Sequence, residues 1–424
     1  MALEHRSVAR IFRRGFATTL SLDLVARLLG AVTVVVLIRA LSVSNYAFMT
    51  LFLTLAQLGG SAAAGGVRTR YLREEAERVS RNAPASAGAF TAALAATVAL
   101  TSAAAILGMP IAATVGLGHH AGGDIALIFY AFGYAVSWAV IELSMARMQA
   151  RRRFLAAGLL NVTRAAAVAV AALIVASASQ RLPALAVWFI ALLAVVAVGA
   201  AASAVRESGY RVRSLARVLG MTAEERWLSF YYLAAAGFAY VDVVVASALL
   251  GQKEIATLGA ALRYLAVILG ALPALGVILR VRTAQADVVD SAAAQLRMVI
   301  GWIKRIGPPA LLLMGAAIGV APTVIPVIDR GRYPGSIVAF QIYLVMALAT
   351  YLVAPSVAVL MAQRRYRFLA TRYGICLCIN VLGDAAVARR FGVTGIATVS
   401  TSLFSILGPV LVLGALRQAR RAVQ

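Results

Sequence analysis

Charge is scarce in this sequence, and cysteine and histidine are nearly missing. Asp, Glu, Lys and Arg together make up 13% of the 424 residues, whereas an average soluble domain carries about 25%. Two cysteines and three histidines provide no disulfide framework and no recognisable metal-ligand spacing. No G-x-x-x-x-G-K-S/T loop is present, which excludes ATP hydrolysis by that motif. The sequence therefore predicts no catalytic residues, no metal site and no cofactor, and it excludes an ordinary soluble enzyme.

Apolar residues are abundant instead. They make up 62% of the chain, and the mean hydropathy is +0.88. Crossing a bilayer takes about 20 apolar residues, and each such run must be helical because backbone groups in lipid have no water to bond to. The sequence thus predicts an all-α polytopic membrane protein with about twelve transmembrane helices. The predicted spans are residues 16–41, 45–67, 84–110, 124–146, 154–178, 183–205, 227–250, 255–279, 306–328, 335–362, 368–388 and 393–416.

The basic residues are distributed unevenly between the predicted loops. Thirty of the 40 Lys and Arg residues lie at the termini and in alternate loops, whereas seven lie in the opposite loops. Loops rich in Lys and Arg stay in the cytoplasm, so both termini are predicted to be cytoplasmic. The same distribution explains the net charge of +24, because loop arginines lie beside anionic lipid. Membrane lipid is therefore an expected partner, and nucleic acid is not.

A polar stretch of mixed charge separates the spans into two sets of six. The predicted domains are an N-terminal six-helix bundle at residues 1–206, a cytoplasmic linker at 207–226 and a C-terminal six-helix bundle at 227–424. Six spans in each half indicate two repeats related by an axis along the membrane normal.

Several charged residues lie inside the predicted spans. A charge at the bilayer centre costs about 2.5–3.5 kcal/mol on insertion scales, so each one is a functional hypothesis. Asp23 and Arg27 are four residues apart on one helix face. They form either a purely structural pair or a pair in which Asp23 orients the Arg27 side chain toward a central cavity. Arg164 has no acidic residue one turn away, so its partner is on another helix, in water or on a substrate. Asp242 either pairs with an Arg or carries a coupling proton.

Two further acidic residues lie nearer to predicted span ends. Glu142 is close to the cytoplasmic end of its span, and we expect a structural role for it. Asp384 is close to the outer end of span eleven and is followed by Arg389 and Arg390. This position is typical of an interfacial anchor whose charged end reaches the membrane surface.

Helix-breaking residues follow a buried arginine in span eight. Arg263 lies about 12 Å from the predicted outer boundary, at about 1.5 Å per residue, which predicts that it faces a cavity. Gly270, Pro273 and Gly276 come directly after it. Proline removes a backbone hydrogen bond and glycine adds freedom, so this segment is either a hinge or an ordinary kink.

Four short motifs make the sequence resemble a known transporter family. They are Ala26-Arg27-Leu28-Leu29-Gly30 followed by Tyr46, Ala260-Ala261-Leu262-Arg263-Tyr264 after Asp242, Arg330-Gly331-Arg332-Tyr333, and Asn380 followed by Arg390-Phe391-Gly392-Val393-Thr394-Gly395. In order and spacing they resemble the polysaccharide transporter family, the O-antigen and exopolysaccharide flippases of the multidrug/oligosaccharidyl-lipid/polysaccharide exporter superfamily. One departure is Ala47, where such proteins usually carry Gly after the Tyr.

The resemblance implies two six-helix bundles around a central cavity. It implies a lipid-linked oligosaccharide on undecaprenyl pyrophosphate as substrate, flipped to the periplasmic leaflet of a bacterial inner membrane by alternating access. It also implies other polysaccharide-assembly membrane proteins as partners. Arg27 and Arg263 stand where related lipid II flippases bind the pyrophosphate. No such correspondence exists for Arg164, which the burial argument alone adds to the substrate-binding candidates, with Asp23 and Asp242 as coupling or charge partners.

Two other functions remain open from the sequence. One is a secondary exporter of small amphiphiles of the multidrug-extruder type, which would share the fold but is disfavoured by buried arginines. The other is a membrane-embedded polysaccharide polymerase or transferase, which would need a catalytic constellation that the sequence does not offer.

Overall fold

The structure is a computed structural model that describes residues 2–81, 88–114, 126–177, 182–208, 223–271 and 292–421. Over this part of the chain it contains helices and no strand. The predicted all-α fold class is confirmed.

Twelve α-helices make up the described residues, with bounds close to the apolar runs. The first six are α1 (Ala2–Ala40), α2 (Val43–Ser80), α3 (Ala89–Thr114), α4 (Ala126–Ala150), α5 (Phe154–Ser177) and α6 (Leu182–Ser208). The next four are α7 (Ala223–Leu249), α8 (Gln252–Ile268), α9 (Ala292–Asp329) and α10 (Gly335–Ala362). The stretch Tyr366–Arg421 contains the last two, α11 (366–391) and α12 (393–421), which meet at Gly392.

Nine helical stretches in the described residues are long and apolar enough to cross a membrane. The stretch Tyr366–Arg417 is one of the nine and contains two predicted spans. The parts Val43–Ala62 and Ala64–Val79 of α2 qualify only as a bent pair. Helix α8 has 17 residues and ends in a 3-10 turn at Leu269–Ala271, short of the predicted end of span eight.

Helix α2 continues beyond its apolar run because ion pairs between charged side chains stabilise the helix there. The predicted span ends at residue 67, but the helix extends to Ser80. Arg70 Nε donates to Glu74 one turn later at 2.7 Å, and Arg151 Nε donates to Glu75 at 2.8 Å. Ion pairs of this kind favour helix at the membrane surface, where hydropathy gives no signal.

The chain divides into two compact units. Unit 1 includes the described residues within Met1–Ala40, Leu55–Thr114 and Asp124–Thr222, and unit 2 includes those within Leu41–Thr54 and Ala223–Gln424. Helix α2 therefore begins in unit 2 and continues in unit 1. In unit 1, α1 packs on α5 and α4 packs on α3 and α6; in unit 2, α10 packs on α8, α9 and the α11–α12 stretch, which also packs on α7.

The segment Leu41–Thr54 is an integral part of the unit 2 core. Its apolar side chains Phe48, Met49, Leu51 and Phe52 are at most 3% exposed. Arg332 Nη1 donates to the Leu41 carbonyl at 3.0 Å. This segment is therefore held by residues that come more than two hundred positions later in the sequence.

Gly392 joins α11 to α12 in a conformation that other residues rarely adopt. Its φ is 55° and its ψ is −142°, and a Cβ built there meets no atom within 4 Å. The requirement for glycine is thus conformational and not steric, because this combination of angles is essentially restricted to glycine.

We expect Gly392→Ala to lower the free energy of unfolding by about 1–3 kcal/mol, the usual cost of backbone strain. Thermal unfolding in detergent would measure it. The matched control is Gly315→Ala in α9, a helical glycine with equally open surroundings, where alanine is the better helix former. Equal effects of the two substitutions would contradict the conformational argument.

Candidate functional site

A chain of polar side-chain contacts links helices α1, α5, α4 and α2 within unit 1. Arg27 Nε on α1 donates to Asp23 Oδ2 at 2.7 Å, so the pair predicted from the four-residue spacing is present. Asn161 Nδ2 on α5 donates to the other oxygen of Asp23 at 3.1 Å. Arg164 Nη2 donates in turn to Asn161 Oδ1 at 2.6 Å. Asp23 is thus bonded to Arg27 directly and connected to Arg164 through the side-chain amide of Asn161.

The chain continues from Arg164 onto α4 and α2. Arg164 Nη1 lies 3.7 Å from Glu142 Oε1, and its guanidinium carbon lies 4.0 Å from the centroid of the Trp138 ring. Arg68 donates to the second oxygen of Glu142. The partner of Arg164 is therefore on another helix, one of the options that the sequence left open.

This network, which we call the arginine network, consists of Asp23, Arg27, Arg68, Glu142, Asn161 and Arg164. It contains three guanidinium groups and two carboxylates, so it carries one excess positive charge. Arg164 Nε and Nη1 are buried without a hydrogen-bond acceptor. The network is thus internally paired but retains donors that an anionic group could use.

A second polar cluster lies in the core of unit 2 around Asp242. Tyr343 on α10 donates to Asp242 Oδ2 at 2.5 Å. Asn380 Nδ2 on α11 and Ser400 Oγ on α12 donate to Asp242 Oδ1 at 3.0 and 2.7 Å. Asp242 is 4% exposed. Three helices thus converge on one carboxylate of α7.

Asp384 adds a second carboxylate to this cluster. It follows Asn380 by one turn on α11, it is completely buried, and it is close enough to Asp242 for the two charges to interact. No N–H or O–H group of the described residues donates to its oxygens, and its carboxyl faces that of Asp242. The interpretation of Asp384 as an interfacial anchor is wrong, because the side chain lies among the helices of unit 2 and does not reach the surface.

These five residues, Asp242, Tyr343, Asn380, Asp384 and Ser400, form what we call the carboxylate cluster. Within the described part of the chain, no Lys or Arg forms an ion pair with either of its carboxylates. Two neighbouring buried carboxyls without a cation cannot both be ionised without a large cost. The cluster offers carboxylate, amide and hydroxyl oxygens, which are the donors that hard cations and protons prefer.

Arg263 on α8 differs from the arginines of unit 1. Its side chain is half-buried, and it forms no ion pair or hydrogen bond with the described residues. It interacts electrostatically with the phenol of Tyr46, whose ring lies 5.5 Å from that of Tyr333. Arg263 is therefore a guanidinium in the predicted span eight whose donors bond to none of the described residues.

The predicted hinge is visible only at its beginning. Gly270 lies in the 3-10 turn Leu269–Ala271 that ends α8, and the Tyr351 hydroxyl donates to the Ile268 carbonyl at 2.8 Å. Pro273 and Gly276 lie outside the described residues. The helix thus changes geometry two turns after Arg263.

Sequence reasoning did not assemble the carboxylate cluster. Of the five residues, it singled out only Asp242 as a functional candidate. It interpreted Asp384 as an interfacial anchor and noted Asn380 only as part of a family motif. One signal was available, because Asn380 and Asp384 are four residues apart and share a helix face. Tyr343 and Ser400 had no such signal, since they lie 101 and 158 residues from Asp242.

Comparison with solved structures identifies the architecture. A MATE family multidrug resistance transporter in an inward-facing conformation matches with a TM-score of 0.70 and 14% identity, covering 96% of this chain and 98% of the other. The lipid II flippase MurJ matches with a TM-score of 0.67 and 11% identity, covering 94% and 87%. This chain has the fold of the multidrug/oligosaccharidyl-lipid/polysaccharide exporter (MOP) superfamily.

A third MOP-fold structure is a superfamily transporter from Pyrococcus furiosus with a binding pocket of reversed polarity. It matches with a TM-score of 0.64 and 14% identity, covering 97% of this chain and 94% of the other. No protein-family model and no curated protein matches the chain. The apolar helices and the MOP fold together make this a multi-pass membrane protein with the architecture of transporters.

Proposed function

We propose that the chain is a flippase for a lipid-linked oligosaccharide. It moves the substrate, carried on undecaprenyl pyrophosphate, from the cytoplasmic to the periplasmic leaflet of a bacterial inner membrane, and thereby serves surface polysaccharide biosynthesis. The MOP fold supports a transporter that works by alternating access, and one solved structure with this fold is a lipid II flippase. The family motifs around Arg27 and Arg263 support the substrate class.

The observation that carries the proposal is the guanidinium of Arg263, which has no ion-pair or hydrogen-bond partner among the described residues. Arg263 lies in the predicted span eight, and a membrane span holds an arginine without a partner only at a cost, so we infer that Arg263 binds a ligand. A pyrophosphate is the matching ligand, because guanidinium donates paired hydrogen bonds to phosphate oxygens and stays charged at any cellular pH. Cationic drugs would be repelled by the same group.

Arg27 and Arg164 contribute differently to this proposal. Arg27 is paired with Asp23, and Arg164 shares its charge with Glu142 and the Trp138 ring. Their charges are largely compensated in the resting network. We therefore assign the main pyrophosphate contact to Arg263, with Arg27 and Arg164 as secondary substrate-binding residues.

The carboxylate cluster is our candidate for energy coupling. We infer that it takes up a monovalent cation, either Na⁺ or H⁺, because its two carboxylates lack a cationic partner among the described residues. This choice favours Asp242 over Asp23, because the charge of Asp23 is already compensated by its ion pair with Arg27. It also goes further than the sequence, from which we expected no metal site.

Genetic complementation tests the flippase proposal. A strain without its own oligosaccharide flippase would receive the wild-type gene, Arg263→Ala or Arg27→Ala, with expression checked in the membrane fraction. Hydrogen bonds to a charged group contribute about 1.5–3 kcal/mol, so Arg263→Ala should lower surface glycan about 10- to 150-fold. We expect a smaller decrease for Arg27→Ala.

The matched control is Arg305→Ala, which removes an exposed arginine from α9. It should restore glycan as well as the wild type does. Full restoration by Arg263→Ala would remove this residue from the mechanism.

A second candidate function is export of cationic amphiphiles. It is favoured by the similarity to a MATE multidrug transporter and by the uncompensated carboxylates of the cluster. The discriminating measurement is drug susceptibility in a strain lacking its own efflux pumps. Protection that depends on Asp384, with no restoration of surface glycan, would favour this candidate.

A further inference from the structure

A groove with a volume of about 770 Å³ lies on unit 2 between α7 and α11. The two helices run in the same direction. Arg367 near the start of α11 contacts Trp227 near the start of α7, and Asn380 further along α11 contacts Asp242 further along α7. The groove is beside the early turns of both helices, on the face that unit 2 turns away from its own core.

The wall of the groove is mostly apolar. Two small residues on α11 leave the space between the larger side chains. Gly374 and Cys378 lie one turn apart on α11, so they form a shallow channel along one helix face. Phe230 and Ile379 border it and are 46% and 47% exposed. Volumes of roughly 300–1,000 Å³ accommodate a drug-sized molecule, and a channel lined in this way fits a flexible hydrocarbon chain.

One end of the groove is basic. Arg226 lines it directly, and the Arg367 guanidinium lies 5.6 Å from the centroid of the Trp227 ring. Residues 363–373 contain Arg364, Arg365, Arg367 and Arg372 and no acidic residue, although Glu224 and Glu225 precede Arg226 in the sequence. Tryptophan beside arginine is typical of the membrane–water boundary, which places this end at the headgroup level.

We propose that this groove is a binding site for an anionic phospholipid. An acyl chain lies against Phe230, Gly374 and Cys378, and the phosphate accepts hydrogen bonds from Arg226 and Arg367. The combination of an apolar channel with two arginines at one end is complementary to an anionic amphiphile and not to a neutral one. The positive-inside distribution puts this end on the cytoplasmic side, where anionic lipids attract basic residues.

The site is separate from the proposed substrate contact. Arg263 lies on α8 and does not line the groove. Helices α7 and α11 also carry Asp242, Asn380 and Asp384 of the carboxylate cluster. A lipid that fills the space between these helices thus stabilises the pairing on which the cluster depends.

Native mass spectrometry tests the proposal on the full-length protein. The purified chain, stripped of lipid in detergent, would be titrated with phosphatidylglycerol and, separately, with phosphatidylcholine. We expect one phosphatidylglycerol to bind about tenfold more tightly than phosphatidylcholine. The double variant Arg226→Gln/Arg367→Gln should lose this preference, with about a tenfold decrease in affinity for phosphatidylglycerol.

A second variant tests the apolar part of the site. A Cβ at position 374 would lie 3.4 Å from the Phe230 ring, in ordinary contact, so Gly374→Leu fills the channel. It should abolish the single tight adduct, whereas the control Gly315→Leu, at a glycine with open surroundings, should keep it. Thermal unfolding without lipid would verify that both variants fold.

Three results would overturn the proposal. One is equal affinity for the two phospholipids. Another is an adduct that persists in both the arginine and the Gly374→Leu variants. The third is displacement of phosphatidylglycerol by undecaprenyl phosphate at equal concentration, which would make the groove a site for the polyprenyl tail of the substrate.

Discussion

Asp384→Asn is expected to abolish ion-coupled transport while making the protein more stable. Asp384 is completely buried, no N–H or O–H group of the described residues donates to its oxygens, and its carboxyl faces that of Asp242. An unsatisfied buried polar group costs about 1–3 kcal/mol, and more when it is charged. Because the neighbouring carboxyls of Asp384 and Asp242 cannot both be ionised without a large cost, replacing one of them by an amide should raise the unfolding temperature, measured in choline buffer without sodium. Transport into vesicles should fall to the level of the empty control, because the second carboxylate of the cluster is lost.

Asp242→Asn is the matched comparison, and we expect the opposite effect on stability. Asp242 accepts hydrogen bonds from Tyr343, Asn380 and Ser400. The NH2 group of an asparagine at this position would face at least one of these three hydrogen-bond donors and could not accept its hydrogen bond, so the unfolding temperature should fall. Transport should be lost here as well. If both variants lowered stability equally, Asp384 would not be the strained member of the cluster.

The identity of the coupling ion follows from the same samples. If the cluster binds Na⁺, sodium should raise the unfolding temperature of the wild-type protein, as any ligand of the folded state does, and it should have no effect on either variant. If the ion is H⁺, sodium should have no effect on the wild type, and a pH gradient alone should drive transport.

Arg164→Met is expected to destabilise unit 1 by about 1–3 kcal/mol, because it removes one member from a partly buried polar network. The substitution leaves Glu142 with Arg68 alone and removes the donor from Asn161 and the cation from the Trp138 ring. Thermal unfolding in detergent would measure the loss.

The control for this prediction is Arg153→Gln. Arg153 donates to Glu207 at 2.8 Å, but its side chain is 55% exposed. Surface ion pairs contribute about 0–1 kcal/mol, so little change is expected. An equal effect of Arg153→Gln and Arg164→Met would show that burial does not decide the contribution of these arginines.

Hydropathy predicted the helices well where lipid is the neighbour. The predicted span 335–362 coincides with α10, and the predicted gap between spans eleven and twelve contains Gly392. It failed where helices leave the membrane, since α2 continues to Ser80 and α9 begins at Ala292, 14 residues before the predicted span. Ion pairs sustain α2 there, and a hydropathy window does not detect them.

The two polar sites show a similar limit. Asp23 and Arg27 pair within one helix turn, so their spacing was sufficient to predict the contact. Asp242 obtains its partners from three other helices, and only packing brings these together. Asp384 was misread because Arg389 and Arg390, which follow it in the sequence, are exposed, whereas Asp384 itself is buried.

The segment Leu41–Thr54 has a consequence for how the gene can be divided. A cut in the stretch 209–222, where the two halves of the sequence separate, would leave this segment on the first fragment, although it belongs to the core of unit 2. The second fragment would then lack Phe48, Met49, Leu51 and Phe52, and Arg332 would lose its acceptor. The halves are therefore not exchangeable modules. A chimera with a related transporter must take Leu41–Thr54 and Ala223–Gln424 from the same parent.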